Sequence, residues 1–241
     1  MTSLRGTIRE LDGLRGIAIL LVLLHHFWPR SGPWAELASL PHLGWIGVDL
    51  FFVVSGLLIT GILLDTRDSP GYFRSFYARR ALRIFPLYYA FLLLAFTAIP
   101  ALQGGEWAST EFVRQSGSPW WYVLYQGNLR EAITGTEPAY VMAPLWSLAI
   151  EEQFYLVFPA LLFWLPRRAL RPTLIAAIIA ALLFRVGTSL AWPSNERVQY
   201  LATPARVDAL ALGALLALGL REGWVGFSAT RPVGRLMLGL T

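Results

Sequence analysis

Long apolar runs, separated by short polar stretches that carry most of the arginines, set the pattern of this chain. Runs of about 18 or more apolar residues are long enough to cross a bilayer as a helix. By that measure residues 11–28, 44–64, 82–102, 144–165, 173–191 and 204–220 are six predicted spans. Residues 119–129 are apolar and aromatic but too short to cross straight, so they read as a re-entrant or interfacial segment. Residues 65–81 and 166–172 read as basic connections, and residues 103–118 as a polar linker. A further apolar run starts at residue 236. The pattern predicts an all-α, polytopic transmembrane helix bundle. It has about six full spans, one short segment and the start of another span, all in one membrane-embedded domain over residues 1–241.

Composition agrees with that class. Charged residues make up 15% of the chain, against about 25% in soluble domains. There is no cysteine, which excludes thiol chemistry and a disulfide frame within these 241 residues. The net charge of +5 could suggest nucleic acid, but the arginines cluster at the ends of apolar runs, where topology explains them. All 20 basic residues are arginine, so no single arginine stands out by type. If residues 119–129 do not cross, fourteen arginines fall on one side and four on the other; if they do cross, the division is ten against eight. Arginine-rich short loops stay in the cytoplasm. The first arrangement is therefore expected, with the N-terminus cytoplasmic.

Against this apolar background a few polar residues stand out. Glu151 and Glu152 are the only charges in residues 144–165. A charge at the centre of a span costs about 2.5–3.5 kcal/mol on insertion scales, so two adjacent carboxylates call for partners or a wet cavity. Successive helix positions point about 100° apart, so the two cannot share a face. His26 closes the first span and is a candidate general base, because histidine titrates nearest neutral pH. Asp49, Arg185, Arg206 and Asp208 are further charges within or at the ends of spans. On the expected topology they gather with His26 and the glutamates toward the outer half. Arg15, Arg79, Arg80 and Arg83 gather at the inner face, where arginine forks suit phosphate; Arg80 and Arg83, three apart, would share a helix face. Each group also has a plain structural explanation: interfacial histidines, buttressing ion pairs and topology-setting arginines. Ser55, Gly56 and Ser147 read as packing residues. No metal-ligand spacing is present. An acid–base enzyme drawing on two compartments and a proton-coupled transporter both fit these residues.

Five stretches carry a family resemblance: LDGLRGIAILLVLLHH (11–26), GVDLFFVVSGLLIT (47–60), FYARRALRIFPLYY (76–89), LWSLAIEEQFYLVFP (145–159) and TPARVDALALGALLA (203–217). In this order they resemble the membrane-bound acyltransferase-3 family, O-acyltransferases of cell-envelope glycans and small sugars. The resemblance implies acyl transfer, most simply acetyl, from cytoplasmic acyl-CoA to a carbohydrate hydroxyl, with no bound cofactor. It implies that Arg15 and His26 form the family's Arg–His pair, with His26 catalytic. It implies a donor site at Arg80 and Arg83, a catalytic-segment carboxylate at Glu151 or Glu152, and a supporting motif at Arg206 and Asp208; Asp49, from its own position, reads as a residue that orients or pairs. Members of the family usually carry more spans. The chain is therefore expected to be C-terminally short, lacking its last helices, with a second polypeptide able to complete the bundle. An inactive truncated remnant and a proton-coupled transporter are the alternative readings.

Overall fold

The computed structural model describes residues 9–28, 44–98, 101–102 and 106–225. Among them every regular element is helical: α1 (Arg9–Phe27), α2 (Gly44–Thr66), α3 (Tyr72–Phe96), α4 (Glu106–Ser116), α5 (Trp120–Val123), α6 (Gly127–Thr134), a 3₁₀ turn (Tyr140–Met142), α7 (Leu145–Trp164), α8 (Arg167–Ala191), α9 (Glu196–Leu201) and α10 (Thr203–Glu222). Among the described residues, four helical stretches are long and apolar enough to cross a membrane: Gly44–Thr66, Tyr140–Trp164, Arg167–Ala191 and Glu196–Glu222. Two other expected spans fall on α1, whose apolar part is Gly13–His25, and on α3, which carries four arginines in its first half. Large apolar side chains lie exposed along the helices, among them Leu87, Leu93, Leu156, Leu183 and Leu190. Such faces suit contact with hydrocarbon.

Three boundaries differ from the sequence expectation. Helix α3 starts at Tyr72 rather than at residue 82, behind Gly71, which has the left-handed φ of 76°. Arg74, Arg79 and Arg80 therefore sit on helix, and Pro86 lies in the middle of α3 rather than in its first turns. Hydropathy found only the apolar part of α3; arginine stems lie along apolar surface while their heads reach polar surroundings, so a span can begin well inside a basic segment. Helix α8 likewise begins at Arg167, taking in the PRRALRP stretch read as a turn. Residues 106–116, read as linker, form α4, whose Phe112 is buried and whose Glu111 pairs with Arg114 at 2.6 Å.

The described helices form two compact units. Of the described residues, the first comprises those up to Asp65, Arg171–Ile175 and those from Ala209 onward. Small residues govern its packing. A Cβ on Gly47 would lie 2.7 Å from the Ala18 carbonyl oxygen and 2.9 Å from Leu21 Cβ, so α1 and α2 approach along that line. A Cβ on Gly56 would collide with the Leu210 carbonyl, and one on Gly213 with the Val53 carbonyl. Backbone-to-backbone approach of this kind is what small residues permit in membrane helices. Ala211, Ala214 and Ala217 are fully buried on the same helix, α10. Arg221 closes the unit, bonding the Gly61 carbonyl at 2.7 Å and Asp65 at 2.8 Å.

The second unit comprises residues 66–170 and 176–208. Its centre is aromatic: Tyr88, Leu92, Ala95, Phe112, Tyr122, Tyr125, Met142 and Ala149 form one buried cluster. The hydroxyls of two of these tyrosines are used. Tyr88 donates to the Tyr122 carbonyl at 2.8 Å, and Tyr122 donates to the Ser116 carbonyl at 3.1 Å. Arg67 caps the C-terminus of α7, donating to the carbonyls of Phe163 and Leu165 at 3.0 and 2.6 Å. Those carbonyls lack intrahelical partners and sit at the negative end of the helix dipole.

At the edge of this unit Glu131 is 3% exposed, 3.7 Å from Arg197, which also pairs with Glu137. Burial pushes the Glu131 carboxyl up to about 7, against the pull of Arg197 and Arg130. The folded chain then holds a proton that the unfolded chain has already released, so stability falls as pH rises from about 5 to above 7. Thermal unfolding in detergent should show the melting temperature declining over pH 5–8, and Glu131→Gln should flatten that decline. Equal slopes for the two proteins would refute it.

Candidate active site

Helices α3 and α7 and the α5–α6 connection enclose a cleft of about 240 Å³. Its lining brings together two charged residues, Arg80 from α3 and Glu152 from α7, with Tyr125, Gln153 and Tyr155. Phe76, Phe85, Leu124 and Leu156 supply apolar walls. Here the structure revises the division into an outer acid–base group and an inner arginine group: Arg80 lies in the same cleft as Glu152. Physical sense favours the arrangement, because each charge lowers the cost of placing the other in an apolar surround. Arg80 Nε and Glu152 Oε1 are both buried without a hydrogen-bond partner.

The neighbouring glutamates have different surroundings, as the 100° step predicts. Glu152 lines the cleft, whereas Glu151 is buried and accepts a hydrogen bond from the Tyr155 hydroxyl at 2.8 Å. The Tyr155 ring in turn lies under Arg80, whose guanidinium carbon is 3.4 Å from the ring centre. Stacking of a guanidinium on an aromatic face is worth about 2 kcal/mol or more where water is excluded. The chain Glu151–Tyr155–Arg80 therefore orients the cation.

Beneath the cleft, a closed polar network fixes the register of α7. Gln153 donates to the Tyr125 carbonyl at 2.6 Å and to Asn128 Oδ1 at 2.9 Å. Asn128 donates to the Leu201 carbonyl and to Thr203 Oγ1, both at 2.9 Å. Thr203 donates back to Gln153 Oε1 at 2.5 Å. Each member is satisfied by the others, the condition under which a buried polar network is rigid rather than costly. Tyr125 adopts φ 53°, rare for a bulky residue. Its ring is stacked on Tyr88 at 4.3 Å, and Gln153 holds its carbonyl.

The remaining predicted residues fall elsewhere. Arg83 and Arg79 are exposed on α3, so Arg80 and Arg83 do not line the cleft together. Asp208 pairs with Arg185 at 2.7 Å, and Arg185 also donates to the Ala205 carbonyl at 2.5 Å. Arg206 is buried over the rings of Tyr200 and Trp146, at 4.8 and 5.9 Å. Arg185 thus has Asp208, rather than either glutamate, as its carboxylate. In the first unit Arg15 lies over the Phe51 ring at 5.8 Å, and Asp49 is half-buried on α2. His26 belongs to α1, and its side chain lies outside the described residues. Among the described residues no group of three His, Cys, Asp or Glu could hold a metal. Sequence reasoning missed Tyr155, Gln153, Asn128 and Thr203. Only Tyr155 carried a signal, four residues beyond Glu151 and so on its face.

Comparison with known proteins bears on what such a site does. A family profile for an acyltransferase domain, acyltransferase-3, matches residues 8–224. The peptidoglycan O-acetyltransferase OatA of Listeria monocytogenes is 32% identical over 188 residues, covering 74% of this chain and 28% of that protein. The putative peptidoglycan O-acetyltransferase YrhL of Bacillus subtilis is 32% identical over 233 residues, covering 88% of this chain and 33% of that protein. A putative O-acetyltransferase of Staphylococcus aureus is 35% identical over 161 residues, 64% of this chain and 24% of its own length. The match spans a quarter to a third of the length of these relatives. No solved structure matches. With the profile running from the start of α1 to the end of α10, the chain belongs to the acyltransferase-3 family.

Proposed function

We propose that the chain is the membrane-embedded part of an O-acetyltransferase that moves an acetyl group from cytoplasmic acyl-CoA to a hydroxyl of an envelope glycan. It would lie in a bacterial plasma membrane with its N-terminus in the cytoplasm. Family membership supports acyl transfer. The names of the relatives, which are O-acetyltransferases and in two cases peptidoglycan O-acetyltransferases, support acetyl as the group and a glycan as acceptor. The observation that carries the reading is the Arg80–Glu152 cleft: a cation and a carboxylate among apolar walls, each with a buried atom lacking a partner.

In the proposed reaction His26 takes the proton of the acceptor hydroxyl, and Asp49 steadies the imidazolium that forms. The acceptor oxygen bonds to the carbonyl carbon, the carbon–sulfur bond breaks, and the CoA thiolate leaves and takes up a proton. Base catalysis supplies about 10²–10⁴-fold; stabilisation of the oxyanion by fixed donors supplies much of the rest. Arg15, Arg80 and Arg83 serve the donor. Glu152 balances the charge of Arg80 in the cleft, and Glu151 acts through Tyr155. Arg206 and Asp208 support the fold around these groups. Transfer of labelled acetyl from acetyl-CoA into membrane glycan, compared between the wild-type chain and His26→Ala, tests the reading.

A further inference from the structure

Two properties of the cleft restrict what enters it. Its lining charges are one cation and one carboxylate, so a phosphate on Arg80 would also meet Glu152. At about 240 Å³ it falls below the roughly 300–1,000 Å³ that encloses a whole drug-sized ligand. With Phe76, Phe85, Leu124 and Leu156 as walls, the space suits a small uncharged fragment with one strong hydrogen-bond acceptor. Arg80 is prepared for such an acceptor. Tyr155 covers one face of its guanidinium at 3.4 Å, which leaves the edge for bonds in the plane, and Nε has no partner. Arg83, which sequence spacing joined to Arg80, is exposed and outside the cleft.

We propose that this cleft is the subsite for the acyl thioester end of the donor, that Arg80 binds the thioester carbonyl oxygen there, and that Tyr155, anchored by Glu151, is the positioning residue that holds Arg80 in plane. The inference rests on the donor reading above and narrows it: Arg80 serves the reacting carbonyl, not the CoA phosphates. As the acceptor oxygen adds to the carbonyl carbon, negative charge develops on the oxygen facing Arg80. A fixed cation in a water-poor site stabilises that charge far better than water does. When the carbon–sulfur bond breaks, the charge passes to the departing thiolate and the carbonyl is restored on the product ester.

The test compares acetyl-CoA with S-acetyl-pantetheine, which keeps the thioester and lacks the nucleotide and its phosphates. Full-length protein in membranes is assayed with each donor. Tyr155→Phe keeps the stacked ring and loses the hydroxyl that donates to Glu151. It should lower kcat about 3- to 10-fold with both donors and leave KM unchanged. Glu151→Leu removes the acceptor and should lower kcat about 3-fold or more with both donors, and adding Tyr155→Phe to it should cost nothing further, since that hydrogen bond is already gone. Tyr155→Leu, which removes the stack, should cost kcat about 10- to 100-fold with both donors. Effects confined to the KM of acetyl-CoA would place Arg80 on the phosphates and overturn the inference, as would a further loss when Tyr155→Phe is added to Glu151→Leu. The donor reading itself fails differently: wild-type protein that binds neither compound in equilibrium dialysis sinks both.

Discussion

Glu152→Gln is expected to reduce acetyl transfer by about 100-fold or more, because Arg80 loses the carboxylate that balances its charge, while Asp208→Asn, in an ion pair away from the cleft, costs less than about 10-fold. The Gln variant keeps the shape of the side chain and removes its charge. Arg80 would then face an apolar cleft as an uncompensated cation, and breaking one side of a buried pair typically costs about 3–5 kcal/mol. Part of that cost should appear as a lower melting temperature. The double variant Arg80→Gln/Glu152→Gln separates the two effects: without either charge the cleft has nothing to compensate, so stability should recover while activity does not. Initial rates per folded protein, read beside melting temperature, check both halves. A Glu152→Gln protein with wild-type turnover would remove this carboxylate from the site.

The second large effect is expected in the first unit. Gly213→Val and Gly56→Val should abolish accumulation of folded protein, because each added side chain would run into the backbone of the facing helix. Overpacking against side chains usually costs about 1–3 kcal/mol; a carbonyl cannot move aside as a side chain can, so the cost here is higher. Gly16 and Gly187 are the controls, since a Cβ there meets nothing within 4 Å. Gly16→Ala and Gly187→Ala should be neutral or stabilising by up to about 1 kcal/mol, the helix-propensity difference. Yield and thermal stability of the four variants in detergent decide the matter. Gly213→Val protein that folds normally would show that the α2–α10 approach is not required.

What the sequence revealed and what it hid follow from the kinds of signal involved. The class was legible because apolar length is a one-dimensional property: α2 and α7 match their predicted spans within a residue or two. Gly56 was legible as a packing residue for a similar reason. The start of α3 was hidden because hydropathy reports where a helix is apolar, not where it begins, and Arg74, Arg79 and Arg80 masked a turn sequence ending at Gly71. Glu151 and Glu152 could be told apart in principle by their 100° separation, but which one met the cleft depended on α3 and on Tyr125, distant in sequence. The partnership of Arg185 with Asp208, and the Asn128–Gln153–Thr203 network, join residues up to 75 positions apart and leave no local pattern to read.

The most direct measurement is label transfer. Membranes containing the chain are given acetyl-CoA carrying labelled acetyl, and label is followed into the glycan fraction for wild type and His26→Ala at matched levels of folded protein. The account predicts that label accumulates with wild type and falls by about 100-fold or more in the variant. Equal incorporation by the two proteins would contradict the proposed base. No incorporation by folded wild-type chain would contradict acetyl transfer by this portion of the protein.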